Sequence, residues 1–211
     1  MIRLLTFLIP IFWLMPMDSF GQSIDGKKTI IVIDPGHGGT DSGANGINGV
    51  QEKDMVLKIA KEIVNLNVNL FEKSYEIYLT RNTDTLISLG DRAKMVRSLN
   101  ADIFVSLHCN HSGNADAKGL EVYVATKGKH IRESIHFAHQ LQKGIKQNIG
   151  FKSRGVKLAN FQVLRETVDY CPAVLIELGF LSNLDEVQHL TEDENLLALA
   201  LSVLSGLKIE L

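Results

Sequence analysis

Two histidines and one glutamate occupy positions where a metal site could form. His37 follows a short β-branched run and lies within the glycine-rich segment DPGHGG, while His108 ends a second apolar run in SLHCNHS. Glu52 begins a helical pattern after a long polar loop. Two imidazoles and one carboxylate are a common set for catalytic zinc and leave the fourth position to water. Iron or manganese could use the same donors. The alternative is two ordinary loop histidines and a carboxylate favoured by a helix start.

Glu177 is a second candidate for chemistry, because it lies inside the apolar segment AVLIELGF. Burying a carboxylate is costly unless it is paired, hydrogen-bonded or close to a metal. Burial would also raise its pKa towards the range that a general acid/base needs near neutrality. We therefore predict a catalytic role for Glu177. The alternative is a carboxylate at an exposed strand end, paired with Arg154 or Arg165.

Strands and helices alternate along the sequence around these residues. Apolar runs predict strands near residues 29–33, 76–80, 103–107, 119–126, 161–164 and 173–178. Helical spacing predicts helices near residues 52–70, 88–99, 131–149 and 196–204. This alternation predicts an α/β sheet covered by helices on both faces. In such sheets the loops at the carboxyl ends of the strands form the ligand crevice, and both histidines stand at such ends.

Composition narrows the class of protein. The 211 residues are 45% hydrophobic and 22% charged, as in an ordinary globular protein of one domain. The net charge of −2 gives no basic excess for binding nucleic acid.

The N-terminus predicts export. Arg3 precedes an apolar run, and the small residues Ser19 and Gly21 follow it, which is a secretory signal pattern. We expect a signal peptide over residues 1–21 and one domain over residues 22–211. The apolar run is too short for a comfortable membrane span, so no stable span is expected after cleavage. The lack of an evident wall-binding module favours the periplasm over the external medium.

Four ordered motifs carry a family resemblance: IDPGHGGTDSGA, QEKD with Glu52, SLHCNHS and VLIELGFLSN. They resemble the zinc-dependent N-acetylmuramoyl-L-alanine amidases of the amidase-3 type, from about Lys28 to the C-terminus. The resemblance implies one Zn²⁺ ion on His37, Glu52 and His108, with Glu177 as the catalytic glutamate. It also implies a twisted, mostly parallel sheet of about six strands. The implied reaction on peptidoglycan cleaves the amide between the lactyl group of N-acetylmuramic acid and L-alanine.

Three further residues are predicted to bind substrate. Arg154 and Arg165 resemble family positions near the substrate groove. Asn110 follows His108 by two residues, so on an extended chain both side chains face the same side. The only two cysteines, Cys109 and Cys171, either form a disulfide or remain free thiols.

The predicted partner is peptidoglycan, and we expect a monomer. Some family members carry an inserted helix that blocks the zinc site until an activator binds. The short stretch between residues 119 and 131 has no room for such a helix, so no activator is expected. Two alternatives remain: a zinc metallopeptidase that acts within the stem peptide, and a non-catalytic peptidoglycan-binding module.

Overall fold

The computed structural model describes residues 27–150 and 152–208 of the chain. The predicted signal peptide lies outside the described residues. None of the helices within these two ranges has the length and apolar character needed to cross a membrane.

The centre of the fold is a single mixed sheet of six strands in the order β2-β1-β3-β6-β4-β5. Its strands are β1 (Thr29–Pro35), β2 (Tyr75–Leu79), β3 (Ile103–Asn110), β4 (Leu120–Ala125), β5 (Ser153–Ala159) and β6 (Ala173–Phe180). The first three pairings, β1 with β2, β1 with β3 and β3 with β6, are parallel. Strand β4 runs antiparallel to β6, and β5 runs parallel to β4. The predicted mostly parallel sheet is therefore confirmed.

Within the described residues, six α-helices pack against this sheet. They are α1 (Glu52–Asn69), α2 (Leu89–Leu99), α3 (Ile131–Ile149), α4 (Gln162–Thr167), α5 (Leu184–Thr191) and α6 (Asp193–Ser205). Strand side chains alternate between the faces, so Ile31 and Ile33 join a large core with α1, α3, α5 and α6. Val32 points the other way, into a smaller core with α2 and α4. Helices thus cover both faces, as predicted.

Local sequence explains where α2 begins. Ser88 precedes the helix, and its hydroxyl accepts a hydrogen bond from the Asp91 backbone N–H, while the Asp91 carboxylate accepts from the same hydroxyl. This pair satisfies a backbone donor that the first helical turn would otherwise leave free.

One predicted strand is wrong. Residues 161–164 do not form a strand, because Val163, Leu164 and Thr167 are buried together on one side of the short helix α4. The sixth strand is instead β5, which the apolar pattern does not reveal. It is an edge strand whose sequence, SRGVKLA, interrupts its apolar residues with Arg154, Gly155 and Lys157. Edge strands commonly carry such residues, since one side is open to water.

Strand direction brings the candidate residues to one edge of the sheet. The parallel strands β1, β3 and β6 end there, and the antiparallel strand β4 begins there, with Glu121 opposite Glu177. His108 also lies opposite Glu177. The side chains of Glu121, Glu177 and His108 therefore lie on the same face of the sheet as the smaller core, outside the area that α2 and α4 cover.

Candidate active site

His37 is held in an unusual backbone conformation at the end of β1. Its φ of 59° lies in the left-handed region, which non-glycine residues rarely adopt. The imidazole Nδ1 lies 2.8 Å from Asp41 Oδ2, and Nε2 lies 3.2 Å from Glu52 Oε2. At Gly36 a Cβ atom would collide with the His108 ring. Glycine at this position therefore lets the two imidazoles approach each other.

Glu52 is almost fully buried at the first position of α1, with 4% of its surface exposed. Its Oε1 accepts a hydrogen bond from the Cys109 backbone N–H at 3.0 Å and lies 2.8 Å from His108 Nδ1. Its Oε2 accepts from the Ala44 backbone N–H at 2.8 Å. The carboxylate therefore joins the loop after β1 to the end of β3.

These three residues form one compact group. The centroids of the His37 and His108 imidazole rings are 4.9 Å apart, and the two ring planes are nearly perpendicular. One nitrogen from each histidine and one oxygen from Glu52 lie within 4.8 Å of one another. Tetrahedral zinc ligands at their usual bond lengths are separated by about 3.4 Å, so small side-chain adjustments would let these atoms share an ion. The sequence-based prediction that these three residues meet is confirmed, and the group could hold a metal.

The electrostatics of the group favour an ionised carboxylate. Burial alone would favour neutral Glu52, but hydrogen bonds with His108 and His37 outweigh it and hold the pKa of Glu52 well below its usual range. In the metal-free protein the hydrogen bond to Glu52 raises the pKa of His37 to about 9, against the effect of burial. The site therefore attracts positive charge, either a proton or a metal ion.

A buried ion pair supports the loop that carries His37. Asp34 Oδ1 accepts hydrogen bonds from Arg92 Nη1 at 2.5 Å and from Thr80 Oγ1 at 2.6 Å, and Oδ2 accepts from Ser106 Oγ at 2.8 Å. Arg92 also donates to the His37 backbone carbonyl at 2.7 Å. Arg92 is not among the residues predicted from the sequence. Its signal was a charged residue on the inward side of the apolar stripe of α2.

Glu177 lies on β6 directly opposite His108 on β3. Its Oε2 is buried and has no hydrogen-bond partner within residues 27–150 and 152–208. Burial raises the pKa of Glu177 to about 7, and the negative charges of Glu52 and Glu121 add to the rise, while His108 and His37 oppose it. The alternative ion pairs with Arg154 or Arg165 do not form, since these arginines bind other residues.

The predicted substrate-binding residues have separate surroundings. Arg154 forms an ion pair with Glu121, and Asn110 Nδ2 donates to Glu121 Oε2 at 3.2 Å. Both residues therefore contact Glu121, which lies opposite Glu177 on the neighbouring strand. Arg165 lies exposed on α4, and its Nη1 donates to the Asn160 side chain at 3.0 Å. The structure gives it no contact with Glu177 or the histidine group.

The two cysteines are free, buried thiols. Cys109 belongs to the large core, and Cys171 belongs to the smaller core on the opposite face of the sheet. The sheet itself separates them, which excludes the disulfide that the sequence left open. Because Cys109 faces away from His108, its side chain also does not join the group of His37, Glu52 and His108.

A family model for N-acetylmuramoyl-L-alanine amidase matches residues 31–208, a span that includes His37, Glu52, His108 and Glu177. The chain belongs to the Amidase_3 family. It is 37% identical over 162 residues to the N-acetylmuramoyl-L-alanine amidase LytC of Bacillus subtilis, covering 77% of this chain and 31% of LytC. It is 36% identical over 182 residues to a sporulation-specific N-acetylmuramoyl-L-alanine amidase of the same species, covering 84% of this chain and 66% of that protein.

A solved structure gives the same result. The catalytic domain of the amidase CwlV from Bacillus (Paenibacillus) polymyxa superimposes with a TM-score of 0.75 at 36% identity, covering 84% of this chain and 95% of that domain. The chain thus spans 31% and 66% of the length of these two curated relatives, and 95% of the isolated catalytic domain.

Proposed function

We propose that this Amidase_3 protein hydrolyses the amide between the lactyl group of N-acetylmuramic acid and L-alanine in peptidoglycan. The observation that carries the proposal is the placement of Glu177 directly opposite His108 on the neighbouring strand. A buried, unpartnered carboxylate oxygen thereby adjoins a group of side chains suited to a metal. Such a combination supplies the metal site and the general acid/base that many metal-assisted hydrolyses use.

The group that we propose to hold the ion consists of His37, Glu52 and His108, and we propose zinc. Two imidazoles and one carboxylate match the ligands of catalytic zinc sites. Zinc bound at such a set supplies Lewis acidity, which acidifies a water molecule and polarises the scissile carbonyl group. Asp41 Oδ2 accepts a hydrogen bond from the protonated Nδ1 of His37 and so orients the ring.

Glu177 then moves the protons. Its carboxylate removes a proton from the attacking water, whose oxygen forms the new bond to the carbonyl carbon. The protonated side chain returns that proton to the alanine nitrogen as the carbon–nitrogen bond breaks. The products are a free lactyl carboxylate and a new alanine amino terminus. A pKa near 7, which burial produces, lets one side chain accept and then donate a proton.

Substrate binding and location complete the proposal. We propose that Arg154, Arg165 and Asn110 contact substrate, that the protein acts as a monomer, and that it needs no activator. Strand β4 leads directly to α3 through residues 126–130, which supports an open groove. We further propose that residues 1–21 direct export to the periplasm and that residues 22–211 form one catalytic domain. N-terminal sequencing of the protein recovered from cell fractions tests the cleavage site and the location.

The experiment that tests the activity is a peptidoglycan digest with the zinc-loaded protein, compared with Glu177→Gln and with Glu194→Gln, an exposed control on α6. We expect new L-alanine amino termini from the parent protein and the control. We expect a loss of at least about 100-fold from Glu177→Gln with zinc retained, since general acid/base catalysis contributes about 10²–10⁴-fold.

Other products would reject the proposal. Cleavage that releases amino termini from later stem residues identifies a metallopeptidase. Zinc and peptidoglycan binding without any cleavage identifies a non-catalytic binding module.

A further inference from the structure

Beside the proposed catalytic residues, Glu121 lies at the centre of a cluster that catalysis does not use. Glu121 is 2% exposed on β4, yet both of its oxygens are occupied. Its Oε1 accepts from Arg154 Nε and from Lys157 Nζ. Its Oε2 accepts from the Tyr123 hydroxyl at 2.5 Å and from Asn110 Nδ2 at 3.2 Å. Two cations share one carboxylate oxygen, so one positive charge remains unmatched within this cluster.

A β-bulge brings the two cations together. Leu120 pairs with Ser153, but Val122 pairs with Val156, so β5 has one additional residue opposite Glu121. Gly155 at the bulge has a φ of 96°, which favours glycine. Without the bulge, positions three residues apart on a strand would face opposite sides of the sheet. With it, Arg154 and Lys157 both reach Glu121.

The two cations retain unused hydrogen-bond donors near solvent. The side chains of Arg154 and Lys157 are 34% and 39% exposed. Arg154 Nη1 makes one long contact, 3.5 Å from the Lys118 carbonyl oxygen. Among the described residues, no acceptor lies within hydrogen-bond reach of Arg154 Nη2. The Phe180 ring, 5.1 Å from Arg154 Cζ, and the Tyr123 ring, 5.7 Å from Lys157 Nζ, fix the positions of both charges.

From this arrangement we infer that Arg154 and Lys157, held by Glu121, form a carboxylate-binding subsite for the stem peptide. The inference rests on the proposed function, since it assigns a ligand to the groove beside Glu177. The subsite recognises an acidic residue that follows the alanine of the scissile amide. It therefore favours stem peptides with a free carboxylate there over peptides in which that group is a carboxamide.

Sheet geometry sets the reach of the subsite. Neighbouring strands lie about 4.8 Å apart, and Glu177, Glu121 and the two cations stand on the successive strands β6, β4 and β5. The cations therefore lie about 10 Å across the sheet from the proposed general base. Two residues of extended peptide span roughly 7 Å, and an acidic side chain or terminal carboxylate covers the remaining distance.

Binding to a catalytically silenced protein tests the inference. The protein is zinc-loaded Glu177→Gln, and the ligands are N-acetylmuramoyl-L-alanyl-D-glutamate and the same molecule with both glutamate carboxyl groups converted to carboxamides. Isothermal titration calorimetry measures both affinities. We expect the acid to bind roughly 10- to 100-fold more tightly than the amide, the range for a charge-assisted hydrogen bond between ionised partners.

Substitutions then assign the preference to the two cations. In the Glu177→Gln background, adding Lys157→Gln should reduce the acid-over-amide ratio at least roughly fivefold, because one of the two cations is lost. Adding Lys157→Arg should restore most of the ratio. Lys157→Gln leaves Arg154 paired with the buried Glu121, which preserves the fold. Lys143→Gln, an exposed position on α3, is the matched control and should leave the ratio unchanged.

Three results would overturn the inference. In the Glu177→Gln protein these are equal affinity for the acid and the amide, or no binding of either ligand. The third is an acid-over-amide ratio that stays unchanged when Lys157→Gln or Arg154→Gln is added. Turnover is measured separately with Glu177 intact. Equal binding alongside normal turnover rejects the subsite alone, whereas absent turnover with a cation-dependent preference rejects the amidase activity alone.

Discussion

Alanine substitutions at Gly43 and Gly49 form a matched pair. They separate the effect of displacing the proposed metal ligands from the effect of backbone strain alone. Both glycines lie in the loop between β1 and α1 and both have positive φ, 63° and 76°. A Cβ atom at Gly49 would meet no other atom within 4 Å, whereas one at Gly43 would lie 2.5 Å from Glu52 Oε2 and from His37 Cδ2. The two alanine variants therefore share the strain and differ in the collision.

The geometry gives the size of the expected difference. Each alanine incurs a left-handed backbone cost of about 1–2 kcal/mol in unfolding free energy. Ordinary contact begins near 3.4 Å, so at Gly43 each of the two side chains would have to move by 0.9 Å, the difference between 3.4 and 2.5 Å. A displacement of about this size at a catalytic site can lower the reaction rate about 10²-fold. We expect Gly43→Ala to lower amidase activity by roughly that factor and zinc affinity by about 10- to 100-fold.

Chelator competition measures the zinc affinity, urea unfolding measures the stability, and release of amino termini from peptidoglycan measures the activity. Gly49→Ala should lose stability and keep zinc affinity and activity within about threefold of the parent, because surface strain distant from the ligands leaves their positions intact. Equal loss of zinc affinity in the two variants would refute the reasoning. So would a Gly43→Ala protein with unchanged affinity, since it would mean that the ligands do not occupy the positions described.

Two further predictions concern the interior. Arg92→Met should lower the unfolding free energy by about 3–5 kcal/mol, because it leaves the carboxylate of Asp34 buried without its cation; urea unfolding measures this, and Lys94→Met, exposed on the same helix, should change it by less than about 0.5 kcal/mol. A loss from Arg92→Met no larger than that control would contradict the role of the ion pair. A reducing agent should leave the thermal unfolding midpoint unchanged, because Cys109 and Cys171 are free thiols; a fall equivalent to about 2–5 kcal/mol would instead indicate a native disulfide.

The central strands and the ligand group were predictable from the sequence for the same physical reason. Strands β1, β3 and β6 are buried on both faces, so they appear as continuous apolar runs. A polar residue that ends or interrupts such a run stands out, which is how His37, His108 and Glu177 were found. The direction of parallel strands then requires that their ends lie at one edge of the sheet.

The remaining features depend on pairings that local sequence does not encode. Strand β5 lies at the sheet edge, where Lys157 and Gly155 conceal the strand pattern, and its register depends on a bulge. The short helix α4 presents too few turns for a helical period to emerge from residues 161–164. Arg92 acquires its role only when α2 packs beside β1, because its partner Asp34 lies 58 positions earlier in the chain.

The shared register of His108 and Glu177 has a consequence for how this fold can diversify. Because backbone hydrogen bonds between β3 and β6 fix the offset of the two residues, the spacing of the proposed ligand and the proposed base is set by the sheet and not by any loop. Residues 111–119, which join β3 to β4, do not set this offset. Exchanging this connection for one of different length or charge should therefore leave the offset of His108 and Glu177 unchanged.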